Sequence, residues 1–367
     1  GERDGPLAGQ PAAGGGDNAA AAVGTGIVGP GLVNSSVGTS GVLFAHAREF
    51  NPDPSGRLHA FCHAVPGAYH LMGVTLSAGG SLSWWRETLG GDYGELVEAA
   101  SGVQAGSEGL VFLPYLSGER TPHLDPKARG AFFGLTARHG VEHMTRAVME
   151  GVIFSLRDSL EIMRGLGVPV EDVRATGGGA RSDLWRQLQA DIYGTPIRRT
   201  VADEGPAYGA ALLAGAASGT YADVDEAVSV VKLREEITEP DSDRAKIYEE
   251  HYEIYRSLYP ATSSAMSRLT DLAAGSTYDL IIVGAGPAGL AAAVYGAGML
   301  WNLFALPRPA ADVPAPPFGG GNRVCIGESF AWTEAILLLP TLGLVTAFGA
   351  SALVGLGDFC WLKVCGT

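Results

Sequence analysis

What most constrains this chain is a set of small-residue loops, each placed where an apolar run gives way to a new element. Gly38-Thr39-Ser40-Gly41 follows the apolar residues that begin at Ile27. Gly177-Gly178-Gly179-Ala180 lies between the short apolar strand pattern Val173–Thr176 and a helical pattern over Ser182–Tyr193. Gly14-Gly15-Gly16-Asp17-Asn18 opens onto an alanine-rich helix. Glycine lets backbone amides approach a ligand closely, and a strand-to-helix turn offers unpaired N–H groups and the positive helix end to an anion. Each loop also has a plainer reading. The first is a β-hairpin turn, the second close helix–strand packing, and Asp17 a helix N-cap.

Periodicity fills in the elements around these loops. Met144, Val148, Val152, Leu156, Leu160 and Met163 recur every three or four residues and predict a helix over Val141–Arg164. A further helix is expected from Ser81, an alanine-rich one over Pro206–Ala217 with proline in its first turn, and an amphipathic one over Tyr248–Tyr259. Strands and helices thus interleave from Gly14 to Pro260, which predicts one α/β domain. Residues 1–13 are expected to be irregular. Composition changes after Pro260: a linker is expected over 261–277, a strand–glycine loop–helix unit over 278–300, and a Pro/Ala-rich linker over 301–317. A second glycine-rich loop and helix follow over 318–340, and an apolar tail over 341–367.

The net charge of −14 repels phosphate backbones and argues against a nucleic-acid partner. It leaves ATP open, since backbone amides and a metal ion bind a nucleotide locally. Cys62, Cys325, Cys360 and Cys365 lack zinc-knuckle or redox CxxC spacing, which suits a reducing compartment and a cytoplasmic location. Ala335–Gly357 carries no charge and is long enough to span a bilayer. Pro340 and several glycines interrupt it, so a buried segment is expected there rather than a membrane span.

The motifs GGGDNAAAAVGTG, GTSG, LPYLSGERTPHLDPKARGAFFGL, GGGARSDLWRQ and GPAYGAALLA occur in this order. The set resembles the C-terminal half of the FGGY carbohydrate kinases, and FCHAVPGAYHLMGVTLSAGGSLSWW is most similar to the xylulokinases among them. The resemblance implies a ribonuclease-H-like, actin-type ATPase domain and phosphorylation of a ketose such as D-xylulose by ATP with Mg. It implies Asp17 as the catalytic base, with Gly38, Thr39 and Ser40 at the ATP phosphates and Gly177, Gly178 and Gly179 beside the adenosine. Glu119-Arg120-Thr121-Pro122-His123 matches a family motif that also reads as a structural loop. Family members begin with a second domain that carries most sugar contacts, and nothing before Gly14 resembles it. A sugar kinase that is catalytically incomplete is therefore expected, with a non-catalytic composite or nucleotide-binding fragment as the alternative.

Two further signatures stand near the C-terminus. DLIIVGAGPAGLAAAVYG places Gly284, Gly286 and Gly289 in a GxGxxG pattern similar to the FAD-binding start of thioredoxin-reductase-type flavoproteins. The second strand that should hold the ribose is replaced by ALPRPAADVPAPP, which argues against FAD binding. FGGGNRVCIG resembles the cysteine loop of haem-thiolate monooxygenases, which implies Cys325 as the haem-iron ligand and Arg323 at a propionate. Residues before Phe318 resemble other proteins, so no haem pocket is expected, and a redox function is the least favoured reading. Three families in part suggest a composite sequence, with a mis-assembled gene model as the alternative.

Overall fold

The computed structural model describes residues 16–202 and 205–273. Helix α1 (Asp17–Thr25) ends at Gly26, whose left-handed φ of 74° turns the chain into strand β1 (Gly31–Val37). Strands β2 (Gly41–Ala47), β3 (His59–Cys62) and β4 (Tyr69–Thr75) follow, then helices α2 (Gly79–Leu89) and α3 (Tyr93–Ser101). A two-stranded sheet of β5 (Val111–Leu113) and β6 (Ala131–Phe133) precedes the long helix α4 (Val141–Gly165). Strand β7 (Val170–Thr176), helix α5 (Asp183–Tyr193), strand β8 (Ile197–Arg198) and helices α6 (Gly205–Ala217), α7 (Val224–Val228) and α8 (Ser242–Ala273) complete the domain.

The main sheet has the order β3-β4-β2-β1-β7-β8. Strands β1 and β2 form an antiparallel hairpin, while β7 runs parallel to β1 and β8 parallel to β7. Side chains alternate across the sheet, so each strand feeds two layers. Val33, Val37, Leu43, Ala45, Val173 and Ala175 join the main core with Val148, Val152 and Leu156 of α4. Phe44 lies in a separate cluster with Ala22 and Ile27 beside α1. Glycines let α6 lie tightly on α1: a Cβ on Gly24 would overlap the Gly205 carbonyl, and one on Gly209 the Ala20 carbonyl. The architecture is the α/β layering expected from the sequence.

Helix α4 carries more than an apolar stripe. Arg146, Glu150, Arg157 and Asp158 are buried along with its aliphatic residues. Their partners come from α8, whose Tyr248, Tyr252 and Tyr255 are also buried. The Tyr248 hydroxyl donates to Glu150 at 2.8 Å and accepts from Arg146 at 2.7 Å, and the Tyr252 hydroxyl donates to Asp158 at 2.8 Å.

Helix α8 corrects the expected linker. Residues 261–273 continue the helix through Pro260 rather than opening a flexible stretch. Tertiary contacts override the composition signal there. Tyr259 donates to Asp125, Met266 is buried, and Thr270 and Asp271 bond Arg129 and Lys127. The remaining expected segments, 1–13 and 278–367, lie outside the described residues, as do Gly284, Gly286, Gly289, Arg323 and Cys325.

Candidate functional site

Two of the glycine-rich loops meet at one end of the sheet. Strand β1 and its parallel neighbour β7 both end there, at Val37 and Thr176. The residues that follow them are Gly38-Thr39-Ser40 and Gly177-Gly178-Gly179. Gly38-Thr39-Ser40 is the tight turn of the β1–β2 hairpin, closed by the Gly38 amide on the Ser40 carbonyl at 3.0 Å. The hairpin reading and the binding reading thus describe the same three residues. The turn leaves Thr39 and Ser40 exposed at its tip.

A third small-residue segment, Ala78-Gly79-Gly80, holds this turn from behind. The amides of Ala78 and Gly80 donate to the Thr39 carbonyl at 2.9 and 3.0 Å, and that of Gly79 donates to Gly38 at 2.7 Å. A Cβ on Gly79 would come within 2.6 Å of the Gly38 carbonyl, so the approach requires glycine. Helix α2 begins here at Gly79, two residues before the expected Ser81.

The second loop is fixed by a glycine-only backbone turn and by a cation. Gly177 adopts φ 76°, and a Cβ there would lie 2.7 Å from the Val37 carbonyl. Arg186, buried in α5, donates to the Ala180 carbonyl at 2.9 Å and pairs with Asp183 and Glu236. Ser182 caps α5 through the Trp185 amide. The loop is therefore set between a strand end and a capped helix, the arrangement that presents amides to an anion.

Between the loops lies a cleft of ≈ 210 Å³ lined by Val37, Gly38, Thr39, Gly79, Ser83, Tyr93, Gly178, Gly179 and Trp185. One wall is mostly glycine backbone and the other is aromatic. Trp185 is 1% exposed, whereas Tyr93, on the first turn of α3, is 38% exposed. Burial pushes the Tyr93 phenol above its ordinary range, opposed by the neighbouring Trp185 indole and the Arg86 charge. The indole N–H faces this hydroxyl without a hydrogen bond of good geometry. Val37, Gly79, Ser83, Tyr93 and Trp185 were not among the residues expected from sequence. The Ala78-Gly79-Gly80 segment, placed between a strand and a helix, was the available signal for that wall.

Asp17 is not in the cleft lining. It is the first residue of α1 and is exposed, while Gly16 occupies the N-cap position without a side-chain bond, which corrects the capping reading. Its Oδ1 accepts the Asn18 amide at 2.8 Å. The other end of α1 is anchored to the sheet. Arg174 donates to the Thr25 carbonyl, and Asn34 bridges the Thr25 and Thr176 hydroxyls. The eight steps from Asp17 to Thr25 set Asp17 about 12 Å from that anchor.

The Glu119–His123 motif has a structural role in this domain. Glu119 is buried and accepts from Thr75, the Leu76 amide at 2.9 Å and the Arg120 amide at 2.7 Å. Burial pushes its carboxyl up to about 7, against the pull of these bonds. Thr121 pairs with Val74 through its amide and its hydroxyl, and donates to the Arg57 carbonyl. The motif clasps the end of β4 just before the glycine segment that supports the cleft. Among the described residues, no group of three or more His, Cys, Asp or Glu side chains is arranged to hold a metal, and no helix is long and apolar enough to cross a membrane.

Residues 33–218 match the family model for the C-terminal domain of the FGGY family of carbohydrate kinases. The xylulose kinase of Escherichia coli K12 is 45% identical over 249 residues, covering 67% of this chain and 51% of that protein. The xylulose kinase of Staphylococcus epidermidis is 39% identical over 259 residues, covering 70% and 52%. Among solved structures, the ligand-bound xylulose kinase of Lactobacillus acidophilus superposes with a TM-score of 0.64 at 30% identity, covering 68% of this chain and 51% of that one. The chain spans about half the length of the curated relatives it matches. The actin-like ATPase architecture implied by the sequence motifs is the one these neighbours share. On the fold, the order of its loops and these similarities, the chain belongs to the FGGY family of carbohydrate kinases.

Proposed function

We propose that the cleft between Gly38–Ser40 and Gly177–Gly179 binds ATP for phosphoryl transfer to a ketose of the D-xylulose type. The observation that carries this reading is the convergence of two glycine loops on one cavity, at adjacent parallel strand ends. Brought so close, their backbones leave room for phosphate oxygens where side chains would fill it. The phosphates would lie against Gly38, Thr39 and Ser40, and the adenosine against Gly178 and Gly179. Mg would be held chiefly by the phosphates themselves, in keeping with its preference for substrate oxygens and water.

Asp17 would take the proton from the sugar's primary hydroxyl as its oxygen forms a bond to the γ-phosphorus. The bond from that phosphorus to the β-phosphate oxygen breaks, and ADP leaves. Exposure of Asp17 at the start of α1 supports this reading, because a base must reach its substrate. Similarity to xylulose kinases motivates the choice of sugar. Nucleotide binding is the part of this activity that the cleft itself supports.

Calorimetry with MgATP and a coupled ADP-release assay with D-xylulose test the two parts. MgATP binding is expected, with any ADP release lost in the Asp17→Ala variant. Turnover that is equal in the Asp17→Ala variant removes Asp17 from the mechanism, and failure to bind MgATP removes the cleft.

A further inference from the structure

The aromatic wall of the cleft is uneven in a way that the glycine wall does not explain. Trp185 is fully buried and fixed, because α5 is capped by Ser182 and packed into the main core. Tyr93 sits opposite on a short helix that follows two glycines. Gly90 turns the chain at φ 72°, and Asp92 caps α3 by accepting the Gly94 and Glu95 amides at 2.8 and 3.2 Å. The Tyr93 ring lines the cleft and also reaches solvent. One aromatic is thus a fixed floor and the other a side chain with room to swing outward.

The available space points the same way. At ≈ 210 Å³ the cleft is small beside the roughly 300–1,000 Å³ usual for a small-molecule site, so a side chain that can turn aside widens it for a nucleotide. The glycines of the lining have no side chain to move. Val37 is in the core, and Trp185 is locked. Tyr93 is the lining residue with both bulk and exposure.

We infer that Tyr93 is a specificity-determining lid of the nucleotide cleft, turning its ring onto the face of a purine base and favouring purine over pyrimidine nucleoside triphosphates. This rests on the proposal that the cleft binds nucleotide. A two-ring base covers more of an aromatic face than a one-ring base, so the gain from contact with Tyr93 is larger for a purine. The contact depends on the ring and not on the hydroxyl, beside which the Trp185 N–H stands without a well-formed hydrogen bond.

Titration calorimetry on the full chain would compare MgATP, MgCTP and Mg-tripolyphosphate, for the wild type, Tyr93→Ala and Tyr93→Phe. Tyr93→Ala is expected to weaken MgATP about tenfold, the scale of one base–aromatic contact. Tripolyphosphate should be unaffected, the preference for MgATP over MgCTP should shrink, and Tyr93→Phe should keep the wild-type pattern. Equal preference in wild type and Tyr93→Ala, or parallel loss of ATP and tripolyphosphate, overturns the lid. Gly178→Val separates this from failure of the cleft itself. A Cβ at Gly178 has only the Val37 carbonyl near, at 4.0 Å, so the added side chain fills the cleft without crowding the fold. If the wild type fails to bind MgATP, or Gly178→Val binds it unchanged, the nucleotide reading falls and the lid with it.

Discussion

At the scale of single residues, the glycines separate into those that need a special backbone angle and those that need space. Gly177 needs both, with φ 76° and the Val37 carbonyl 2.7 Å from any Cβ. Gly219 has a similar φ of 77° with nothing nearby. Gly219→Ala should therefore cost about 1 kcal/mol, the left-handed penalty alone. Gly177→Ala should cost about 1–3 kcal/mol more, since the hairpin must also shift. Urea midpoints of the two variants would give the difference, and equal losses would show that the Val37 contact is relaxed at no cost. Glu119 offers a second case. Glu119→Ala leaves the Leu76 and Arg120 amides and the Thr75 hydroxyl without their acceptor and should destabilise the protein by about 2–4 kcal/mol. Glu119→Gln keeps one acceptor oxygen and should lose less. Thermal unfolding of both variants would rank them.

At the scale of elements, the pairing of α4 with α8 rests on tyrosine hydroxyls and buried charges. Tyr248→Phe keeps the ring but removes the hydroxyl that bridges Arg146 and Glu150, which still pair directly, at a cost of about 1–3 kcal/mol. A double-mutant cycle with Glu150→Gln should show a coupling larger than additivity allows between contacting sites. Apolar periodicity was enough to place α4, because its aliphatic residues repeat every three or four positions whatever surrounds them. It did not reveal that charged positions between them are buried too, since burial of Asp158 depends on a tyrosine that is 94 residues away. The same distance effect hid the second half of α8. Small polar residues such as Thr262, Ser263 and Ser264 read locally as a linker, and only the contacts of Tyr259, Met266 and Thr270 with distant segments make them helical. The cleft was half legible for a related reason. Glycine loops announce themselves by composition, whereas Tyr93 and Trp185 are ordinary aromatics until the fold brings both to one cleft.

At the scale of the molecule, two sets of buried groups make acid stability a balance. His63 and His70 are both held down to about 4 by burial, His63 also by its histidine neighbours, and they stand in a cluster with His46 beside Phe44. Their folded pKa lies below the unfolded value of 6.5, so the fold favours the neutral rings. That stability is fully present above about pH 6.5 and is lost as pH falls towards 4. Glu119 and Asp158 act in the opposite sense. Burial raises both to about 7, so their contribution is fully present below about pH 4 and is lost as pH rises through 7. These opposing contributions partly cancel between pH 7 and 5, with His123, also held down to about 4 by burial, adding to the histidine side. His70→Phe keeps a ring stacked on Phe44 and removes one of the opposing terms. This variant should gain stability relative to wild type on acidification, by on the order of 2 kcal/mol at pH 4.5. Urea unfolding at pH 7 and 4.5 would read the change directly, and parallel pH curves for the two proteins would exclude a role for His70.

The three backbone bonds from Ala78, Gly79 and Gly80 to the Gly38–Thr39 turn have a consequence for exchange with solvent. These amides sit beside an open cleft, yet each can trade its hydrogen for deuterium only when the hairpin tip lifts away from α2. They are built-in reporters of how often that wall opens. A ligand pressing the tip onto the helix would slow all three together, while one that pries it off would hasten them. Amide exchange at positions 78–80 thus records the direction in which an occupant pushes.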